Sequence, residues 1–324
     1  MKKIILTLIF IMALSASLIG CGSSNAYKST GKLQVVTTIF PEYDWVRHIV
    51  GDDNPNVELS LLLDNGADLH SYQPTAEDIL KISTCDLFIY VGGESDEWVD
   101  DALEQAVNKD MIVLNLLDLV GDNVKEEELK EGMESEEHEH EHAEETEYDE
   151  HVWLSLQNSI VICNEIANAL ANIDSDNADL YKANASTYTD KLKSLDSEYE
   201  DVVAASPVKT LLFGDRFPFR YMTDDYGLDY FAAFVGCSAE TEASFETIMF
   251  LANKVDELSL KYVLTIENSD GKIANTVIEN TKEKNAKVLS LNSMQTITAK
   301  DIENGVSYLG IMEDNLEVVK AALS

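Results

Sequence analysis

The chain has 324 residues and a formal net charge of −37, with 60 acidic side chains against 23 basic ones. A surface this acidic excludes nucleic acid as a partner, because neutralising phosphate takes lysine and arginine; it favours a cationic ligand by raising the local cation concentration. The length serves one large domain or two smaller ones.

Residues 1–20 read as an export signal. Lys2 and Lys3 make a basic start, and Ile4 to Leu14 forms an apolar core too short for a comfortable bilayer span. The stretch ends in Leu18-Ile19-Gly20-Cys21, which looks like a bacterial lipobox. Cys21 is then the lipidation site and the mature N-terminus, and several acyl chains on one residue hold a protein at the extracytoplasmic face of a membrane where a single chain is marginal. Residues 21–32 follow as a lipidated, flexible tether. Cys85, Cys163 and Cys237 remain. Their odd number and irregular spacing argue against a disulfide framework, and the apolar surroundings of Cys85 and Cys163 make them small core residues.

From Leu33 the pattern is α/β. Leu33 to Thr38 reads as a strand, Phe40 to Val50 as a helix and Val57 to Leu63 as a strand. Thr75 caps a further helix, with Asp78 at its third position. Leu87 to Val91 is a continuous apolar run like a buried parallel strand; a helix over Trp98 to Val107 and a strand over Met111 to Leu116 follow. This alternation predicts a parallel sheet covered on both faces. His70 falls in the loop after the second strand, and loops at the carboxyl ends of parallel strands are where such sheets bind ligands. A lone loop histidine is more often simply solvated.

Four of the six histidines fall between Glu134 and Trp153: His138, His140, His142 and His151. Most of the other residues there are carboxylates, so nearly every side chain offers a borderline metal a nitrogen or an oxygen. Composition alone also fits a solvated acidic loop. Residues 152 to 206 contain neither glycine nor proline. They divide at Asn172 to Asp176 into two helices, the second from about Asn177 to Ala205 with Leu180, Tyr188, Leu192, Leu195, Tyr199 and Val202 on one stripe. At 1.5 Å per residue this helix is about 40 Å long, enough to bridge two lobes or to traverse one larger core. Beyond it the α/β rhythm resumes. Strands are expected at Lys209 to Phe213, Leu228 to Val235, Lys261 to Ile266 and Ala286 to Leu291. Helices are expected at Phe219 to Asp225, Phe245 to Leu260, Ile273 to Asn285 and Asp301 to Leu323.

Two motifs now combine. Gly66 to Ile79, GADLHSYQPTAEDI, resembles the first ligand motif of the metal-binding lipoproteins of zinc and manganese ABC importers, in which a histidine precedes Tyr-x-Pro-Thr/Ser-x-x-Asp-Ile. Asp149 to Leu154, DEHVWL, is similar to that family's second motif, Asp-Pro-His-Val-Trp-Leu, with Glu150 in the proline position. Zinc members often carry a His- and acid-rich loop between the two motifs. The resemblance implies two parallel-sheet α/β lobes joined by one long backbone helix: an N-terminal lobe over 33–155 that includes the acidic loop 121–150, linking helices over 156–206, and a C-terminal lobe over 207–324. It implies His70 and His151 as metal ligands between the lobes. The family's third ligand, a histidine or glutamate, falls on Arg216, which cannot coordinate a cation; its neighbour Asp215 is the expected substitute, and an inter-lobe salt bridge is the favoured role for Arg216. The fourth falls on Asn292, a weaker neutral ligand. Glu240 or Glu242 is expected to add a carboxylate, with Cys237 as a possible thiolate; for Glu242, electrostatic support of the helix beginning near Ser244 is the simpler role.

The expectation is therefore a monomeric, lipid-anchored solute-binding protein that captures Zn²⁺, in preference to Mn²⁺, and passes it to an ABC permease, with His138, His140 and His142 collecting metal weakly. Two other classes stand beside it. A zinc hydrolase needs an open coordination position and a placed base, and no H-E-x-x-H signature is present. A surface adhesin with a degenerate metal site is the other, and the altered third and fourth positions also leave room for a different cargo.

Overall fold

Both halves of the chain build the same sheet. The computed structural model describes residues 31–51, 54–134, 147–238 and 242–324. In the first half, β1 (Leu33–Thr37), β2 (Val57–Leu61), β3 (Leu87–Tyr90) and β4 (Ile112–Asn115) form a parallel sheet of order β2-β1-β3-β4. In the second, β5 (Thr210–Phe217), β6 (Asp229–Val235), β7 (Tyr262–Ile266) and β8 (Lys287–Leu291) repeat that pattern as β6-β5-β7-β8. Chain order reverses at β1 and at β5, and such switch points open a crevice beyond the strands' carboxyl ends. The loops leaving β2, β6, β7 and β8 line one shared cleft of ≈ 560 Å³ between the lobes.

The helices of the first lobe are α1 (Phe40–Val50), α2 (Ala76–Thr84), α3 (Trp98–Glu104) and α4 (Leu116–Val120). A hairpin of α5 (Leu156–Ile173) and α6 (Ala178–Ala205) follows. The second lobe carries α7 (Arg220–Tyr226), α8 (Phe245–Leu258), α9 (Lys272–Glu279), α10 (Ala299–Glu303) and α11 (Tyr308–Ala322). Asn184 on α6 donates to the Ile49 carbonyl at 3.0 Å in the first lobe, and Tyr199 on the same helix donates to the Met312 carbonyl at 2.7 Å in the second. The long helix thus touches both halves, as expected. Among the described residues no helix is long and apolar enough to cross a membrane.

Several boundaries differ from expectation for local reasons. The strand expected to reach Leu116 ends at Asn115, whose side chain accepts from the Asp118 N–H and starts α4. The single final helix is two, because Gly305 takes φ +90° after α10 and Ser307 caps α11 by accepting from the Gly310 N–H. The helix expected to run to Asn285 stops at Glu279. On α6 the buried stripe begins one residue later than read: Leu180 is 46% exposed, whereas Tyr181 is fully buried and is followed inward by Ala185, Tyr188, Leu192, Leu195, Tyr199 and Val203.

The two lobes share one apolar core. It runs from Trp45 and Phe88 in the first, through Trp153 and Leu192, to Phe213 and Tyr308 in the second. Tyr308 stacks edge-on against Trp45, and its hydroxyl donates to the Trp153 carbonyl at 2.7 Å. A smaller cluster on the far face of the second sheet packs α8 and α9 around Leu251 and Val277. Cys85 and Cys163 are buried in the main core, as their surroundings implied.

Candidate metal centre

His70 stands on a short turn, Leu69–Ser71, that its own motif holds in place. The Asp68 carboxylate accepts from the His70 N–H at 3.1 Å and caps that turn. Asp78 then gathers the rest of the motif, accepting from the Thr75 N–H at 2.9 Å, the Thr75 hydroxyl at 2.7 Å and the Tyr72 hydroxyl at 3.0 Å. The conspicuous Tyr, Thr and Asp are therefore scaffold: a capping box and its brace. Their effect is to aim His70 into the cleft.

His151 closes the acidic loop, whose described flanks are joined by an antiparallel bridge between Glu126 and Tyr148. Asp149 Oδ1 accepts from both the N–H and Nδ1 of His151, each at 2.9 Å. That contact fixes the ring with Nε2 turned away from the carboxylate. His70 Nε2 and His151 Nε2 come to 3.3 Å of each other. Behind His70, Nδ1 meets the Ser95 hydroxyl at 2.8 Å and Glu150 Oε2 at 3.5 Å. The glutamate that replaces the motif's proline is thus a buried carboxylate against His70, a placement its sequence position did not reveal.

The second-lobe residues fall out differently. Arg216 pairs with Asp68 of the first lobe at 2.7 Å and also donates to the Ser238 carbonyl at 3.3 Å; this is the inter-lobe salt bridge favoured from sequence. β5 carries a register shift between Phe213 and Arg216, and Gly214, Asp215 and Arg216 within it line the cleft. The Asp215 oxygens, however, accept from the Arg216 and Ile266 N–H groups at 2.9 and 3.3 Å. Asn292 is spent on a turn, accepting from the Met294 N–H at 2.8 Å and pairing its backbone with Asn315. Glu242 lies at the cleft's rim. Glu240, the loop histidines His138, His140 and His142, and Cys21 lie outside the described residues.

Among the described residues one set of three has ligand atoms drawn together: His70, His151 and Cys237, all within 4.8 Å of one another. Gln295 joins them, with Nε2 at 3.3 Å from His151 Nε2. Nothing in the sequence pointed to Gln295; it reaches the site because Glu267 accepts from the Ser293 and Gln295 N–H groups and folds that loop inward.

Electrostatics prepare the pair unequally. Burial, with His151 and the Arg216 guanidinium nearby, pushes the His70 pKa down to about 3, so its ring stays neutral and ready to ligate. Burial also opposes the charged form of His151, but the Asp149 carboxylate, helped by Glu150 and Glu127, outweighs it and raises this ring's pKa. Burial, then Glu127, Asp149 and Glu150, hold the Cys237 thiol well above its ordinary value. The site gathers carboxylates around two imidazoles, and the Arg216 guanidinium beside it is already paired with Asp68: an arrangement suited to a dication.

Residues 35–322 match the family described as zinc-uptake complex component A, periplasmic (ZnuA). The chain is 33% identical over 324 residues to the zinc-binding lipoprotein AdcA of Streptococcus pneumoniae, covering 99% of this chain and 61% of that one. It therefore spans about six tenths of that relative's length. It is 30% identical over 314 residues to the high-affinity zinc uptake system protein ZnuA of Bacillus subtilis, covering 94% of this chain and 92% of that one. The crystal structure of the Zn(II)-bound ZnuA-like domain of Streptococcus pneumoniae AdcA superposes with a TM-score of 0.71 at 28% identity, covering 90% of this chain and 99% of that one. Two like-ordered parallel sheets, one long bridging helix and a histidine from each motif meeting in the cleft agree with these matches, and the chain belongs to the ZnuA family of periplasmic zinc-uptake components.

Proposed function

We propose that this protein captures Zn²⁺ between its lobes, on His70 and His151, and delivers it to the permease of an ABC importer. One distance carries the reading. Tetrahedral zinc with Zn–N bonds of about 2.0–2.1 Å separates two ligand nitrogens by roughly 3.3 Å, and the two Nε2 atoms stand 3.3 Å apart. The cargo meets two ring nitrogens that face each other in the cleft, with Asp149 and Glu150 behind the rings to fix their orientation. Lipidation at Cys21 would hold the monomer at the extracytoplasmic face, beside its permease. The lipobox supports this, as does the name lipoprotein given to the pneumococcal relative. His138, His140 and His142 would collect metal weakly for the cleft, since ordering a long acidic loop costs conformational entropy. On this reading the protein binds and releases its cargo and catalyses nothing.

The test is competition against a chelator of known affinity, using the soluble chain from Asn25 onward beside His70→Ala and beside a form lacking residues 134–147. The expected result is tight one-to-one zinc binding that the deletion spares and His70→Ala reduces by more than about a hundredfold, beyond the range of outer-shell changes. Weak, multi-site binding that disappears with the deletion would overturn it.

A further inference from the structure

The second lobe presents a difficulty for an inter-lobe zinc site. Arg216 and Asn292 occupy the places where ligands were expected, and neither serves: one pairs with Asp68 and the other shapes a turn. The Asp215 carboxylate is held by two backbone N–H groups. What the second lobe does bring to the histidines is a sulfur. Cys237 follows β6, and its Sγ lies with the ligand nitrogens of His70 and His151 in one cluster no wider than 4.8 Å.

The backbone around it is built for that approach. A Cβ on the preceding residue, Gly236, would stand 3.0 Å from both His151 Cε1 and the Phe217 carbonyl oxygen. A glycine here lets this turn lie against the imidazole without crowding, and the turn delivers the next side chain to the histidine pair. The Cys237 N–H donates to Glu127 Oε1 at 3.3 Å, which ties the turn to the base of the acidic loop. Tetrahedral zinc places a sulfur and a nitrogen ligand roughly 3.5 Å apart, from bonds of about 2.3 and 2.0–2.1 Å. From the observed cluster, at most 4.8 Å across, that spacing is reached by a shift of no more than about 1.3 Å.

We propose that Cys237 is the second-lobe ligand of the captured ion, making the site His70–His151–Cys237, and that its sulfur selects zinc over manganese. As the Zn–S bond forms the S–H bond breaks, and the proton leaves to solvent. One thiolate and two neutral imidazoles leave the bound ion with one net positive charge, which the carboxylates of Glu127, Asp149 and Glu150 around the site offset. Thiolate and imidazole suit zinc, whereas manganese favours carboxylate and water. The inference rests on the zinc-capture reading and is tested separately from it.

The experiment loads the soluble chain with Co²⁺ and records its absorption spectrum, then repeats this and zinc and manganese competition for Cys237→Ser, Cys237→Asp and His70→Ala. Expected are a near-ultraviolet thiolate-to-cobalt charge-transfer band at one cobalt per chain and its loss in Cys237→Ser. Zinc affinity should fall more than about a hundredfold in that variant, and Cys237→Asp should narrow the preference for zinc over manganese. The spectrum of the unaltered chain decides the matter even if a variant folds poorly. One-to-one, His70-dependent binding without that band, or with a band that survives Cys237→Ser, overturns the cysteine assignment and leaves zinc capture standing. Failure of the unaltered chain to bind one metal ion overturns both.

Discussion

Asp149 shows how much of the proposed metal site lies behind the two imidazoles. It holds the His151 backbone and ring at once, which sets which nitrogen faces the cleft and keeps that ring's pKa raised. Replacing it with asparagine keeps the shape and removes the charge. Zinc affinity of Asp149→Asn is expected to fall about 10–100-fold near neutral pH, the usual range for an outer-shell change. The sign of its pH dependence follows from the same contact. Lowering the His151 pKa means that protons compete with zinc only at lower pH, so the affinity of the variant should begin to fall at a more acidic pH than that of the unaltered chain. Chelator competition across a pH series measures both effects; an unchanged affinity would mean that Asp149 braces the turn and no more.

At the scale of an element, α1 begins on a buried carboxyl. Its N-cap is Ile39, which has no side-chain acceptor, so Glu42 bends back to accept from the Thr38 and Ile39 N–H groups at 2.8 and 3.2 Å. This glutamate is fully buried, and burial, followed by the nearby Asp96 carboxylate, pushes its pKa up to about 8. A carboxyl raised in the folded state retains a proton that the unfolded chain releases. Its contribution is therefore complete below the ordinary value of 4.5 and is lost as pH rises through about 8. Between pH 5 and 8 the protein should lose about 3 kcal/mol of stability from this group. Glu42→Gln, which is neutral throughout, should flatten that loss; denaturant unfolding at the two pH values measures it, and parallel curves for the two proteins would contradict the assignment.

At the scale of the molecule, the lobes are less independent than two sheets and a bridging helix suggest. Trp153 of the first lobe donates to the Ser293 carbonyl of the second at 2.9 Å, and the Ala299 N–H reaches back to the Asp64 carbonyl at 2.7 Å. Tyr308 donates its N–H to Asp44 at 2.9 Å from within the shared core. Relative motion is the default for domains that meet across small polar interfaces, and a continuous buried core removes that freedom. The chain from Lys32 to Ser324 should therefore unfold in one cooperative thermal transition, and zinc loading should change its radius of gyration in solution scattering by no more than about 1 Å, because wide hinge opening would expose apolar surface at roughly 25 cal/mol per Å². Two resolved transitions, or a large compaction on loading, would contradict a shared core that restrains the lobes.

What the sequence determined by itself is everything that depends on neighbours a few positions apart. Apolar runs announced the strands, the Thr75 and Asp78 capping box announced α2, and the two motifs singled out His70 and His151. Such signals are legible because a helix cap, a strand's burial pattern and a turn draw on interactions within one element. The errors on that scale were small: α6 buries Tyr181 where Leu180 was read, and Gly305 divides the last helix in two. The second half of the site was a different matter. Glu150 beside His70 and Gln295 beside His151 were placed by tertiary structure, and Cys237, which the sequence offered only as one thiolate candidate next to Glu240 and Glu242, was brought beside both rings by it, through the inward fold of the Ser293 loop and the close approach that Gly236 permits. The two histidines themselves are 81 positions apart. Which side chains converge on one ion is set by how the lobes dock, and that depends on a core built from the whole chain, which no local pattern encodes.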